Sequence, residues 1–161
     1  MKKNLLLTLA LCLLAQWSVA QAPKWVEKAK RAVFSVVTYD ESDKILNTGN
    51  GFFVTEDGIA LSDYSLFKGA QRAVVINSEG TQMPVEVIMG ANDMYDVVKF
   101  RVAISGKKVP ALVVAPVAPT VGASIYLLPY STQKDRSYTT GQVKEESKVC
   151  LLYTSDAADD K

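Results

Sequence analysis

The stretch that decides the fold runs Gly49-Asn50-Gly51-Phe52-Phe53-Val54-Thr55-Glu56-Asp57-Gly58-Ile59-Ala60-Leu61-Ser62-Asp63-Tyr64-Ser65-Leu66-Phe67. Two short apolar segments flank Asp57-Gly58, a pair favoured where a tight turn needs positive φ. The reading is therefore a β-hairpin. Gly49 and Gly51 on its leading side carry no Cβ, so the backbone there can pass close to neighbouring chain.

Upstream, Ala32-Val33-Phe34-Ser35-Val36-Val37-Thr38-Tyr39 is rich in β-branched and aromatic residues and reads as a strand. The polar residues Asp40 to Asn47 are expected to connect it to the hairpin. Pro23 to Arg31 reads as a short helix, with proline tolerated in the first turn. Downstream, Lys68-Gly69 breaks the chain. Strands follow at Ala73 to Ile76 and Gln82 to Met89, separated by a turn at Ser78-Glu79-Gly80. Gly90 to Tyr95 is expected to be a loop. From Asp96 to Val102 the pattern alternates, which puts Val98, Phe100 and Val102 on the core side and Lys99 and Arg101 in water. Val109 to Ala115 and Ala123 to Leu128 are expected as two further short strands between proline-containing turns. Short, evenly spaced strands imply a closed barrel or a sandwich, and spacing alone leaves both open.

The central stretch resembles the second and third strands of trypsin-like serine proteases of the bacterial Deg/HtrA type. That family carries Gly-x-Gly-Phe, an Asp-Gly turn, then Thr-Asn-x-His. Here Leu61-Ser62-Asp63-Tyr64-Ser65 puts Ser65 where the resemblance expects the catalytic histidine. Asn92-Asp93-Met94-Tyr95-Asp96-Val97-Val98-Lys99-Phe100 is similar to the family strand whose second aspartate belongs to the triad, which implies that role for Asp96. Val121 to Tyr126 is similar to the strand that closes the first barrel, and Thr139-Thr140-Gly141-Gln142-Val143 to the strand that opens the second. The resemblance spans about Val33 to Val143. It implies an all-β fold: a trypsin-like antiparallel six-stranded β-barrel, the first of two, plus the start of the second.

At the start of the chain, Lys2 and Lys3 precede an apolar run from Leu5 to Ala15, with Ser18-Val19-Ala20 at its exit. A basic start, a short apolar core and small exit residues describe a secretory signal peptide, so residues 1–20 are expected to direct export to the periplasm or beyond. Bulky Leu11 before Cys12 argues against a lipid-anchored cysteine. The expected order is then helix at 21–31, first barrel at 32–130 and the start of the second at 131–149. Residues 150–161 resemble a translated sequencing-adapter, with the reading frame interrupted near Val149.

The 161 residues carry a formal net charge of +1 and no basic block, which excludes a nucleic-acid surface on electrostatic grounds. The two cysteines, Cys12 and Cys150, fall outside the expected domain, so no internal disulfide is expected. No phosphate loop, dinucleotide fingerprint or zinc spacing occurs, and no cofactor or metal is expected. Asp93 and Asp96 lack the six or more oxygens that a hard cation needs.

The chain contains no histidine. Triad hydrolysis needs a hydroxyl nucleophile, an imidazole to take its proton and a carboxylate to orient that imidazole. A serine hydroxyl is no base near neutral pH, so Ser65 is expected to be non-functional in that role and to hydrogen-bond Asp96 for structural reasons only. Lys68, three residues on, reads as a solvated turn residue and not as a desolvated base. The expected function is an exported, inactive protease-fold domain that binds unfolded or extended peptides by β-augmentation. The alternative is an exported serine endopeptidase, Deg/HtrA-like, of which this sequence is expected to be a truncated fragment.

Overall fold

In the computed structural model, which describes residues 24–130 and 138–145, the Asp57-Gly58 turn joins two strands of a closed barrel. The expected signal peptide and the expected adapter-like tail lie outside the described residues. A helix, α1 (Lys24–Lys30), precedes six barrel strands. These are β1 (Val33–Tyr39), β2 (Ile45–Phe53), β3 (Ile59–Ser62), β4 (Arg72–Ile76), β5 (Gln82–Asn92) and β6 (Val97–Val102). Their order around the barrel is β1-β2-β3-β6-β5-β4, every pair antiparallel. Of the two architectures that strand spacing allowed, the chain takes the barrel.

Alternation along the strands fills its interior. Phe34 and Val36 of β1, Phe53 of β2, Ala60 of β3, Val75 of β4 and Val98, Phe100 and Val102 of β6 form one buried cluster. Phe34 meets Phe53 edge-on with centroids 4.6 Å apart and Phe100 at 6.3 Å, an arrangement that suits the aromatic quadrupoles. Lys99 is exposed and Arg101 half-exposed, as their phase on β6 requires.

The glycines have separate reasons. A Cβ on Gly51 would sit 2.5 Å from the Phe34 ring and 2.8 Å from the Leu61 carbonyl, so only glycine lets β1, β2 and β3 close this tightly. Gly58 has φ +94°, which the turn needs and other residues resist.

Several expectations are corrected. The connection after β1 is shorter than Asp40 to Asn47, because β2 already begins at Ile45. The Asp40 carboxylate accepts N–H bonds from Ser42 (2.8 Å) and Lys44 (3.0 Å), which folds a tight turn and lets polar residues pair as strand. The loop expected from Gly90 to Tyr95 is shorter too, because β5 runs on to Asn92 beside β6; β3 itself stops at Ser62, and Tyr64–Phe67 form a 3-10 turn. Val109 to Ala115 is not a strand. Pro110 has no N–H to give, and the segment is tied by single bonds, Val109 N–H to the Glu56 carbonyl and Leu112 N–H to that of Phe53. Val113 is 94% exposed.

Finally, the segment at Val121 to Tyr126 does not close the first barrel. Its strand, β7 (Ser124–Leu127), pairs with β8 (Thr139–Gln142) in a separate two-stranded sheet. Closure falls instead to β1 and β4, in register from Ser35 with Ile76 to Tyr39 with Arg72. α1 buries Val26 and Ala29, and its Trp25 ring meets Tyr126 of β7 edge-on at 4.8 Å. Helix and second sheet are thereby joined. Among the described residues no helix is long and apolar enough to cross a membrane.

Candidate functional site

Ser65 sits in the 3-10 turn just past β3, and Asp96 in the tight turn leading into β6. Because β3 and β6 are neighbours, with Ser62 opposite Val98, the barrel brings the two turns together across 31 residues of sequence. The Ser65 N–H donates to Asp96 Oδ1 at 2.6 Å, and the Ser65 hydroxyl donates to Oδ2 at 2.9 Å. Tyr64 N–H donates to the Asp96 backbone carbonyl at 3.2 Å, so one residue of the second turn holds two of the first.

The Asp96 turn is itself braced. Asn92 Oδ1 accepts the Tyr95 N–H at 3.0 Å, and the Asp96 N–H reaches the Asp93 carbonyl at 3.4 Å. Asp96 then takes φ +50°, a left-handed conformation that aspartate tolerates better than most residues. This backbone reversal aims its carboxylate back at the Ser65 turn. Asp93 serves as a turn residue and also pairs its carboxylate with the Lys68 ammonium.

Electrostatics follow from these contacts. The Ser65 N–H, then the Ser65 hydroxyl, hold the Asp96 carboxyl below its ordinary range, and nearby Lys68 adds to the effect. Lys68 moves the other way: its hydrogen bond to Asp93 raises the ammonium pKa above the usual value. A catalytic lysine base needs the opposite shift, so Lys68 stays protonated and offers no lone pair. A general base works best with a pKa near the operating pH, and a carboxylate held below its ordinary range is a poor one. Both Asp96 oxygens accept from Ser65, and the chain has no imidazole to take that place.

Beside the turn lies a cleft of about 240 Å³ lined by Tyr64, Phe67, Arg72, Val87, Ile88 and Val98. It opens where β4 and β5 part, since their pairing ends at Val74 and Pro84. A larger cleft of about 590 Å³, lined by Glu56, Asp57, Arg101 and Lys108 among others, includes neither Ser65 nor Asp96. The mixed ion pairs Arg101–Asp57 and Lys108–Glu56 satisfy most of its charge. Among the described residues no group of acidic, histidine or cysteine side chains is arranged to hold a metal ion.

Sequence reasoning did not single out Thr38. It is fully buried, and its hydroxyl lies 2.9 Å from the Leu66 carbonyl oxygen, the residue next to Ser65. Phase was the available signal, because Thr38 follows Phe34 and Val36 on the inward face of β1 as the polar member of an apolar series.

The described β-barrel agrees with a comparison of the whole chain to known proteins. No curated protein matches the chain. The family described as Trypsin-like peptidase domain matches residues 49–161, a span that begins inside β2 and takes in both turns of the site. A closed antiparallel barrel of six strands together with that match over most of the sequence places this chain in the trypsin-like peptidase domain family.

Proposed function

We propose that this protein is an exported trypsin-like domain of the Deg/HtrA type that binds extended polypeptides without hydrolysing them. Ser65 stands at the position of the family's histidine and Asp96 at that of its triad carboxylate. The observation that carries this reading is the double hydrogen bond from Ser65 to Asp96, in a chain that has no histidine. The carboxylate that would orient an imidazole is engaged by a hydroxyl that cannot act as a base. Binding is supported by the apolar side chains left in water around the site: Val87, Ile88 and Met89 on β5, then Met94, Tyr95 and Val97 flanking Asp96. Beyond Pro84 the outer edge of β5 has no strand partner among the described residues, which suits an added peptide strand. Export is supported by the basic, apolar and small-residue order of residues 1–20.

The test incubates the chain with a denatured protein substrate, an active-site serine probe and a fluorescent unstructured peptide. The expected result is saturable peptide binding with no cleavage and no labelling. Cleavage together with labelling would establish the endopeptidase instead, and absence of both binding and cleavage would remove the binding role.

A further inference from the structure

We infer that Thr38 and Asn47 are positioning residues that hold the Leu66 carbonyl and thereby seat the Tyr64–Phe67 turn with Ser65 against Asp96. The inference takes residue 65 as the working position of the site, and in that respect it rests on the reading above.

A turn of four residues has little rigidity of its own. Asp63 precedes it in extended conformation without a side-chain cap, and Lys68 leaves it extended again. Its placement must come from outside. Asp96 supplies one anchor, on the N-terminal side, through Tyr64 and Ser65.

The second anchor is on the other side of Ser65. The Leu66 carbonyl is approached by two donors, the Thr38 hydroxyl at 2.9 Å and Asn47 Nδ2 at 3.3 Å. The same hydroxyl oxygen accepts the Asn47 backbone N–H at 3.2 Å. β1 and β2 pair Thr38 with Asn47, so the two donors reach the turn from one rung of the sheet. Thr38 is fully buried, where a hydroxyl is costly unless bonded, and here it both donates and accepts. Shape completes the seat: a Cβ on Gly49 would press on the methyl end of the Leu66 side chain, so glycine there gives that side chain room against β2. Two anchors flank Ser65, and moving either one should swing it off Asp96.

The test uses Thr38→Val, which keeps the branched shape of the side chain and loses the hydroxyl, and Thr38→Ser, which keeps the hydroxyl. Two readouts are followed by NMR on the full chain: exchange of the Ser65 amide and titration of the Asp96 carboxyl. In Thr38→Val, Ser65 exchange should rise about 5- to 10-fold relative to the barrel amides of Val36 and Phe100, the size of one modest hydrogen bond. The Asp96 titration should move up toward its ordinary range, and Thr38→Ser should restore both. Asn47→Ala, which removes only the second donor, should act in the same direction with smaller size. If Thr38→Val lowers global stability while both local readouts stay with the barrel, Thr38 is merely a core residue and the inference is overturned. If Thr38→Val fails to fold, an Asn47→Ala variant with unchanged readouts overturns it equally. Hydrolysis by the unmodified chain would defeat the non-catalytic reading and move neither readout, so the two failures are distinguishable.

Discussion

Ser65 makes Asp96 easier to ionise, and that coupling has a pH signature. Its carboxyl is held low by the Ser65 N–H first and the Ser65 hydroxyl second. A group whose folded pKa lies below its ordinary value stabilises the fold fully above that value, 3.8 here, and loses the contribution as the pH falls through the folded pKa. Asp96→Asn, which tolerates the same φ, should therefore be less stable than the unmodified chain by a constant margin between about pH 6 and pH 4.5. The margin should shrink below that, as measured by denaturant midpoints across the series. An undiminished margin at pH 2.5 would show that the charge is not what Ser65 holds. The site is legible in the sequence only in part. Ser65 and Asp96 stand out because a motif frames each of them, whereas Thr38 lies in an ordinary strand and matters only through a carbonyl 28 residues away.

At the scale of elements, the barrel closes because particular strands approach very closely. β2 crosses between β1 and β3 with no room for a Cβ on Gly51 beside the Phe34 ring and the Leu61 carbonyl. Gly51→Ala should overpack this crossing and cost about 1–3 kcal/mol, since a backbone carbonyl cannot rotate away. Phe100→Ala, at a fully buried position of β6, should cost about 3–5 kcal/mol by leaving a cavity between Phe34 and Phe67. Urea unfolding of both variants, with unchanged slopes, checks the order: the aromatic deletion should be the more damaging. If Gly51→Ala is neutral, the close approach is not what sets the β1–β2–β3 geometry. The alternating pattern of β6 announced its inward face in advance. The length of β2 did not show, because its first residues are polar and become strand only when Asp40 closes the preceding turn.

Across the whole molecule, ion pairs contribute little and aromatic contacts more. All four described salt bridges are solvent-exposed, with side-chain exposures from 35% to 84%. Exposed pairs of this kind are worth roughly 0–1 kcal/mol each and are screened by salt. Thermal unfolding should therefore shift by only a few degrees between about 0.05 and 1 M salt; a collapse of Tm at high salt would contradict this reading. The link between barrel and second sheet is a different case. Trp25 on α1 meets Tyr126 of β7, and Tyr126 in turn lies 5.8 Å from Tyr138 beside β8. An aromatic pair adds about 0.5–1.5 kcal/mol beyond area, so Trp25→Ala should speed amide exchange at Ile125 and Thr140 about 2- to 13-fold. Exchange at Phe34 and Phe100 should stay as it is. Equal acceleration in both places would mean that α1 stabilises the molecule globally and is not a local tether.

What the sequence determined by itself is what local chemistry and periodicity carry. Asp57-Gly58 demanded a turn and alternation in β6 named its buried face, and no histidine stands among the 161 residues. The tertiary structure alone decided which strands meet. It closed the barrel through β1 and β4, set β7 against β8 in a sheet of its own, and kept Val109 to Ala115 out of the strand ladders. It also decided that Leu66 rests on Thr38 and Asn47. The physical reason is the same in each case. Turns and faces depend on neighbours a few residues apart, whereas strand partners and buried hydrogen bonds are chosen by closure over tens of residues, where many pairings satisfy the same pattern and only the packed core selects one.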